Sequence, residues 1–128
     1  MISWKKGQYK KLSKYFSSKE FENSTDKQFY IDPILLQKLD LVREEFGEPI
    51  RITSGYRSPE NNAKVGGSPS SQHCLGKAAD ITPASFSKEK LDKLYLICEN
   101  HFEAVGDGRN KGFIHVDTRT GKRRRWNY

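Results

Sequence analysis

The sequence predicts a small α+β domain in which helices pack on a small antiparallel sheet. Two stretches, residues 33–46 and 88–102, repeat apolar side chains at helical spacing between a capping residue and a stop. Short runs at 49–53, 78–82 and 112–118 read as strands. Hydrophobic residues make up only 34% of the chain and charged residues 30%, but seven Phe, six Tyr and two Trp argue for a packed core over disorder. At 128 residues, the chain is expected to form one domain, residues 1–128, with a real but modest core.

The elements follow in order. Residues 15–21 read as a short turn anchored by Tyr15, Phe16 and Phe21, leading into a polar loop. Asp32 then caps a helix with Pro33 at its first position. Leu35, Leu36, Leu39, Val42 and Phe46 form its apolar stripe, and Gly47 stops it. Residues 49–53 suit an edge or early strand. Ser58-Pro59 starts a brief helix through Val65, ended by Gly66-Gly67 and a turn at Ser68-Pro69. The strand at 78–82 puts Asp80 on a pleated surface. Ser87 caps a second long helix carrying Leu91, Leu94, Tyr95, Cys98 and Phe102. Gly106-Asp107-Gly108 reads as a turn, residues 112–118 as a third strand, and Trp126 as part of a last one. His115 and Asp117, two apart on a strand, then share a face.

The formal charge of +7 gathers at the ends, in Lys5, Lys6, Lys10, Lys11 and Lys14 and in Arg119, Lys122, Arg123, Arg124 and Arg125. Such charge suits a polyanion, nucleic acid or anionic cell wall, and equally a solubilising face; it does not choose a partner. Met1 to Lys6 is not followed by the apolar run of a signal peptide, and no stretch is long enough to span a membrane. The expectation is synthesis in the cytoplasm as a soluble protein without membrane insertion. Cys74 and Cys98 are too few for a disulfide scaffold; Cys98 sits on the apolar stripe of its helix as a core residue.

The most chemically suggestive stretch is residues 71–80, Ser-Gln-His-Cys-Leu-Gly-Lys-Ala-Ala-Asp, answered by Gly-Phe-Ile-His-Val-Asp at 112–117. Zinc in an enzyme takes three nitrogen or oxygen ligands from the protein and keeps a fourth position for water. His73, Asp80 and His115 supply such a set, and a four-cysteine structural site is excluded by the count of two. Singly, each residue also reads as a loop histidine, a capping aspartate or a strand histidine; together they read as a zinc site. Cys74 is a candidate soft accessory ligand.

Ser-Gly-Tyr-Arg-Ser-Pro at 54–59, the Ser-x-His-x-x-Gly-x-Ala-x-Asp pattern at 71–80 and the motif at 112–117 resemble the fifteenth metallopeptidase family, the zinc D-Ala-D-Ala carboxypeptidases and L-Ala-D-Glu endopeptidases. Residues 16–21 are similar to the start of its short stand-alone members, many of them encoded by phages. The resemblance implies a hedgehog/D-Ala-D-Ala-peptidase-like fold and a zinc-dependent, endolysin-like peptidase acting on peptidoglycan stem peptides at the bacterial cell wall. Nucleic acid then recedes as a partner, a monomer is expected, and the enzyme reaches the wall within a virion or on lysis. Zinc ligation passes to His73, Asp80 and His115. Arg57 becomes the active-site arginine, binding a substrate carboxylate or the developing oxyanion, with a salt bridge holding its own turn as the alternative. Ser71 is either a substrate-binding or a capping serine.

One departure matters. Many members carry an acid three residues before the last histidine as general base, and here that position is Gly112. Asp117 is the first candidate to replace it, with orientation of a ligand histidine as its competing role. Asp107 and Glu103 come next. The same departure supports an alternative, a non-catalytic zinc-binding module of the same fold.

Overall fold

In the computed structural model, which describes residues 1–128, three α-helices and seven strands follow the α+β plan. The first thirty residues do more than turn and loop. β1 (Ile2–Lys5) pairs antiparallel with β2 (Gln28–Ile31), setting Trp4 opposite Phe29, and the two buried rings stack at 5.7 Å. Between them Ser18–Phe21 forms a 3-10 turn, fastened where Ser17 N donates to Glu20 Oε2 at 2.7 Å.

The helices obey their sequence signals. α1 (Pro33–Phe46) starts where Asp32 Oδ1 accepts from Ile34 N at 3.0 Å and ends at Gly47, whose φ of 78° only glycine adopts without strain. Its five predicted apolar residues are all buried, each contributing about 1.5–3 kcal/mol of transfer free energy. α2 (Pro59–Lys64) is capped by Ser58 Oγ, which accepts from Asn61 N at 3.1 Å. α3 (Lys88–His101) is capped by Ser87, packs on α1 and on the sheet, and buries Leu91, Leu94, Ile97 and Cys98. Tyr95 is displaced from the predicted core stripe to its margin, where the Arg109 guanidinium lies 4.0 Å over its ring.

The main sheet has five strands in the order β3 (Ile50–Ser54), β4 (Ala78–Pro83), β6 (Phe113–Asp117), β5 (Ala104–Gly108), β7 (Arg124–Asn127). β3 is an edge, as expected. The sheet is mixed where an antiparallel one was expected, because β7 runs parallel to β5. β5 also corrects the turn read at residues 106–108. Glycine is a poor strand former, but a Cβ at Gly106 would lie 2.7 Å from both Trp126 Nε1 and Tyr128 Cε2. Glycine here marks close approach within a strand.

Side-chain alternation then divides the sheet. Ile81, Val105, Ile114 and Val116 are fully buried in the core shared with α1 and α3. Asp80, His115 and Asp117 alternate with them and face the other way.

Candidate metal centre

The site is assembled from two paired strands and one turn. β4 and β6 pair with Asp80 directly opposite His115, which brings an acid and an imidazole together as cross-strand neighbours. His73 arrives on a 3-10 turn, Gln72–Leu75, that closes at Gly76 (φ 70°) and runs directly into β4. Ser71 Oγ accepts from His73 N at 3.2 Å, so the serine caps the turn that presents the histidine. His73 and His115 are buried, with their rings edge to face at 5.2 Å.

Outer partners settle which nitrogen of each ring faces inward. His73 Nδ1 lies 2.7 Å from Gly55 O, and a carbonyl can only accept, so Nδ1 carries the proton and Nε2 holds a lone pair. His115 Nε2 donates to Asp117 Oδ2 at 2.8 Å, leaving Nδ1 toward Asp80. His73 Nε2 and His115 Nδ1 stand 3.4 and 3.0 Å from the same Asp80 Oδ1, and the ligand atoms of all three residues lie within 4.8 Å of one another.

This arrangement fits zinc. Bonds of about 2.0–2.1 Å in a tetrahedron set donor atoms about 3.3 Å apart. Two lone pairs and a carboxylate oxygen converging in a buried place repel one another unless a cation lies among them, a metal ion or a proton. The electrostatics say the same: burial pushes the Asp80 carboxyl up, yet His115 and His73 outweigh it and hold it at about 2. Burial likewise lowers the His115 pKa, and Asp117 and Asp80 on either side override it and raise it. Cys74, free and half-buried, is not among the converging groups.

Asp117 is buried behind His115, away from the converging atoms. Beyond His115, it accepts from Arg119 Nε at 2.8 Å, Arg119 Nη2 at 2.7 Å and Arg119 N at 3.1 Å. Burial raises its pKa, but Arg119 and then His115 hold the carboxyl far below the usual carboxylate range. Asp107 is bound just as fully by Arg109, whose side chain also reaches Asp92 on α3, and it pairs with Ile114 on the helix-facing side. Glu103 is exposed and precedes β5 at the end opposite Gly108. Neither belongs to the converging group. Gly112 takes a left-handed φ of 85°, and a Cβ there would meet nothing within 4 Å.

Arg57 stands on the turn after β3, with its backbone N–H donating to His73 O at 3.2 Å. Its guanidinium is not ion-paired; Nη1 donates to Ser54 Oγ at 3.3 Å, and Nε is buried without a partner. The salt bridge weighed from the sequence is therefore absent, and the fork is left for another acceptor.

Several residues of the site escaped sequence reasoning. Arg119 reads in the sequence only as charge, although His-x-Asp-x-Arg at 115, 117 and 119 is the spacing of one strand face. Trp126 lies 5.3 Å from the His115 ring and under the Arg119 guanidinium at 5.2 Å, with Tyr128 beside it. Together with Phe113, they wall the His115-bearing face of the sheet above Gly106 and Gly108. The signal was the pair of glycines, which make room for rings.

Comparison with known proteins agrees with this geometry. Residues 10–117 match the family model described as Peptidase M15. A zinc D-Ala-D-Ala carboxypeptidase of Streptomyces albus G is 31% identical over 96 residues, covering 73% of this chain and 36% of that protein. The chain thus corresponds to little more than a third of that relative's length. Because the family match contains the turn of Arg57 and all three converging side chains, the chain belongs to the M15 peptidase family.

Proposed function

We propose that this chain is a zinc peptidase acting on peptidoglycan stem peptides, with His73, Asp80 and His115 as the protein ligands of the metal. The observation that carries the reading is the convergence of two outward-anchored imidazoles on Asp80. The carboxypeptidase relative supports the substrate class. Zinc bound there supplies a Lewis acid for the scissile carbonyl and a water of lowered pKa.

The chain's own residues do the remaining work. Gly55 O and Asp117 hold the two imidazoles in their ligand tautomers, and Arg119 keeps Asp117 ionised. Arg57 offers a permanently charged fork to the substrate's carboxylate or to charge developing on the carbonyl oxygen. The saturated bonding of Asp117 supports orientation of His115 over proton abstraction as its role. Ser71 positions His73 by capping its turn. The basic ends of the chain suit an anionic wall. No helix is long and apolar enough to cross a membrane.

A second reading, a zinc-binding module without hydrolysis, is favoured by Gly112 and by the full occupation of Asp117 and Asp107. Release of new amino groups from purified peptidoglycan, compared for zinc-loaded, chelated and zinc-restored protein, separates the two. Zinc-dependent release, with products read by mass spectrometry, establishes the peptidase and its bond, endo or carboxy. Stoichiometric zinc with no release from several wall types selects the module.

A further inference from the structure

One buried acid takes no part in the chemistry above. Asp26, between the first 3-10 turn and β2, is 9% exposed and accepts four hydrogen bonds. Ser58 Oγ donates to Oδ1 at 2.6 Å; Ser58 N, Asn23 Nδ2 and Asn61 Nδ2 donate to Oδ2 at 3.0, 3.0 and 3.2 Å. An ionised carboxylate, an acceptor with about four lone-pair positions and no proton of its own, matches this set of donors. Burial pushes the Asp26 carboxyl up, but the bonds from Ser58, Asn23 and Asn61 hold it below its ordinary value.

These bonds converge on the segment that carries Arg57. Asp26 grips the backbone and side chain of Ser58, immediately after the arginine, while Asn23 Nδ2 also donates to Tyr56 O, immediately before it, at 3.1 Å. Asn23 Oδ1 in turn accepts from Asp26 N at 2.7 Å, which locks the two clamping residues to each other. Arg57 itself has a single side-chain bond, at 3.3 Å. An arginine kept unpaired for a substrate cannot be aimed by its own ion pairs, so its direction must come from its backbone.

We propose that Asp26, with Asn23, is a positioning residue for Arg57, fixing the backbone on both sides of it so that the free guanidinium is held ready for an anionic substrate group. This rests on Arg57 being the substrate-binding arginine. The acid lies thirty-one positions upstream, so the N-terminal segment is part of the active-site machinery through this clamp.

A double-mutant cycle on the full, zinc-loaded chain tests it: Asp26→Asn, Arg57→Ala and both together, with kcat and KM for a soluble stem peptide and with zinc content and melting measured alongside. Asp26→Asn should lower kcat/KM roughly ten- to hundredfold at unchanged zinc stoichiometry, and change it by less than about twofold when Arg57 is already alanine. Wild-type kcat/KM in Arg57→Ala removes the reading of Arg57 itself. An impaired Arg57→Ala combined with a harmless Asp26→Asn, with additive losses, or with zinc lost from Asp26→Asn leaves Arg57 in place and overturns the clamp. Should Asp26→Asn fail to fold, Asn23→Ala removes the bond to Tyr56 O and carries the same expectation.

Discussion

Replacing Asp117 by asparagine separates the two roles its position allows. The wild-type carboxylate takes one bond from His115 Nε2 and three from Arg119, at 2.7 to 3.1 Å. An amide has a single acceptor oxygen. If that oxygen stays with the Arg119 fork, the amide N–H groups face His115 and favour the tautomer protonated on Nδ1, the nitrogen that points at Asp80. The ligand lone pair is then lost from the metal position. Removing such an outer partner weakens metal binding about 10- to 100-fold, which corresponds to about 1.4–2.8 kcal/mol. The upper end is expected, because the change acts on the nitrogen that faces Asp80. Competition with a chromophoric zinc chelator at neutral pH measures the affinity, and hydrolysis at saturating zinc should return to within a few-fold of wild type. Zinc affinity within about twofold of wild type, together with a rate loss of about 10²–10⁴, would refute this reasoning and make Asp117 the general base.

Zinc should stabilise the fold by mass action, about 2.7 kcal/mol at a hundredfold excess over Kd, so chelation lowers Tm by several degrees and zinc restores it; His73→Ala should melt at one temperature with or without the metal. Gly106→Ala drives a Cβ against Trp126 and Tyr128. It should cost about 1–3 kcal/mol and shift tryptophan fluorescence as Trp126 is displaced; an unchanged Tm and spectrum would contradict the packing described for β7. Asp26 has a folded pKa below its ordinary 3.8, so its bonds contribute fully above that pH and fade as pH falls through the folded value. The stability gap between wild type and Asp26→Asn, from urea unfolding, should narrow as pH falls below the ordinary 3.8; a constant gap would mean that Asp26 is not held as a carboxylate.

Much of this is legible in the sequence. Asp32-Pro33 and Gly47 bracket α1, Ser87 opens α3, and a period of two on residues 112–118 sets His115 and Asp117 on one face, because each signal is local and acts through a single mechanism; that Asp80 lies opposite His115 comes from the pairing of two strands distant in sequence. β1 and β2 escaped because four residues each carry too little pattern, and what stabilises them is the distant Trp4–Phe29 stack. β5 escaped because Gly106 and Gly108 read as turn residues until the rings they accommodate are known. The three converging side chains could be named from motif and spacing. The tautomer-setting partners could not, since Gly55 O is backbone and Arg119 acts through a neighbour. The Asp26 clamp joins residues about thirty apart with no periodicity linking them.

His73, Asp80 and His115 are the proposed ligands of the metal. X-ray absorption at the zinc edge, on protein loaded with one equivalent, tests this assignment most directly. One tightly bound zinc is expected in a low-coordinate shell of nitrogen and oxygen at about 2.0–2.1 Å, with scattering from two imidazoles that drops to one in His115→Ala. A sulfur shell at about 2.3 Å, which would bring in Cys74, or a spectrum unchanged by His115→Ala, would contradict it.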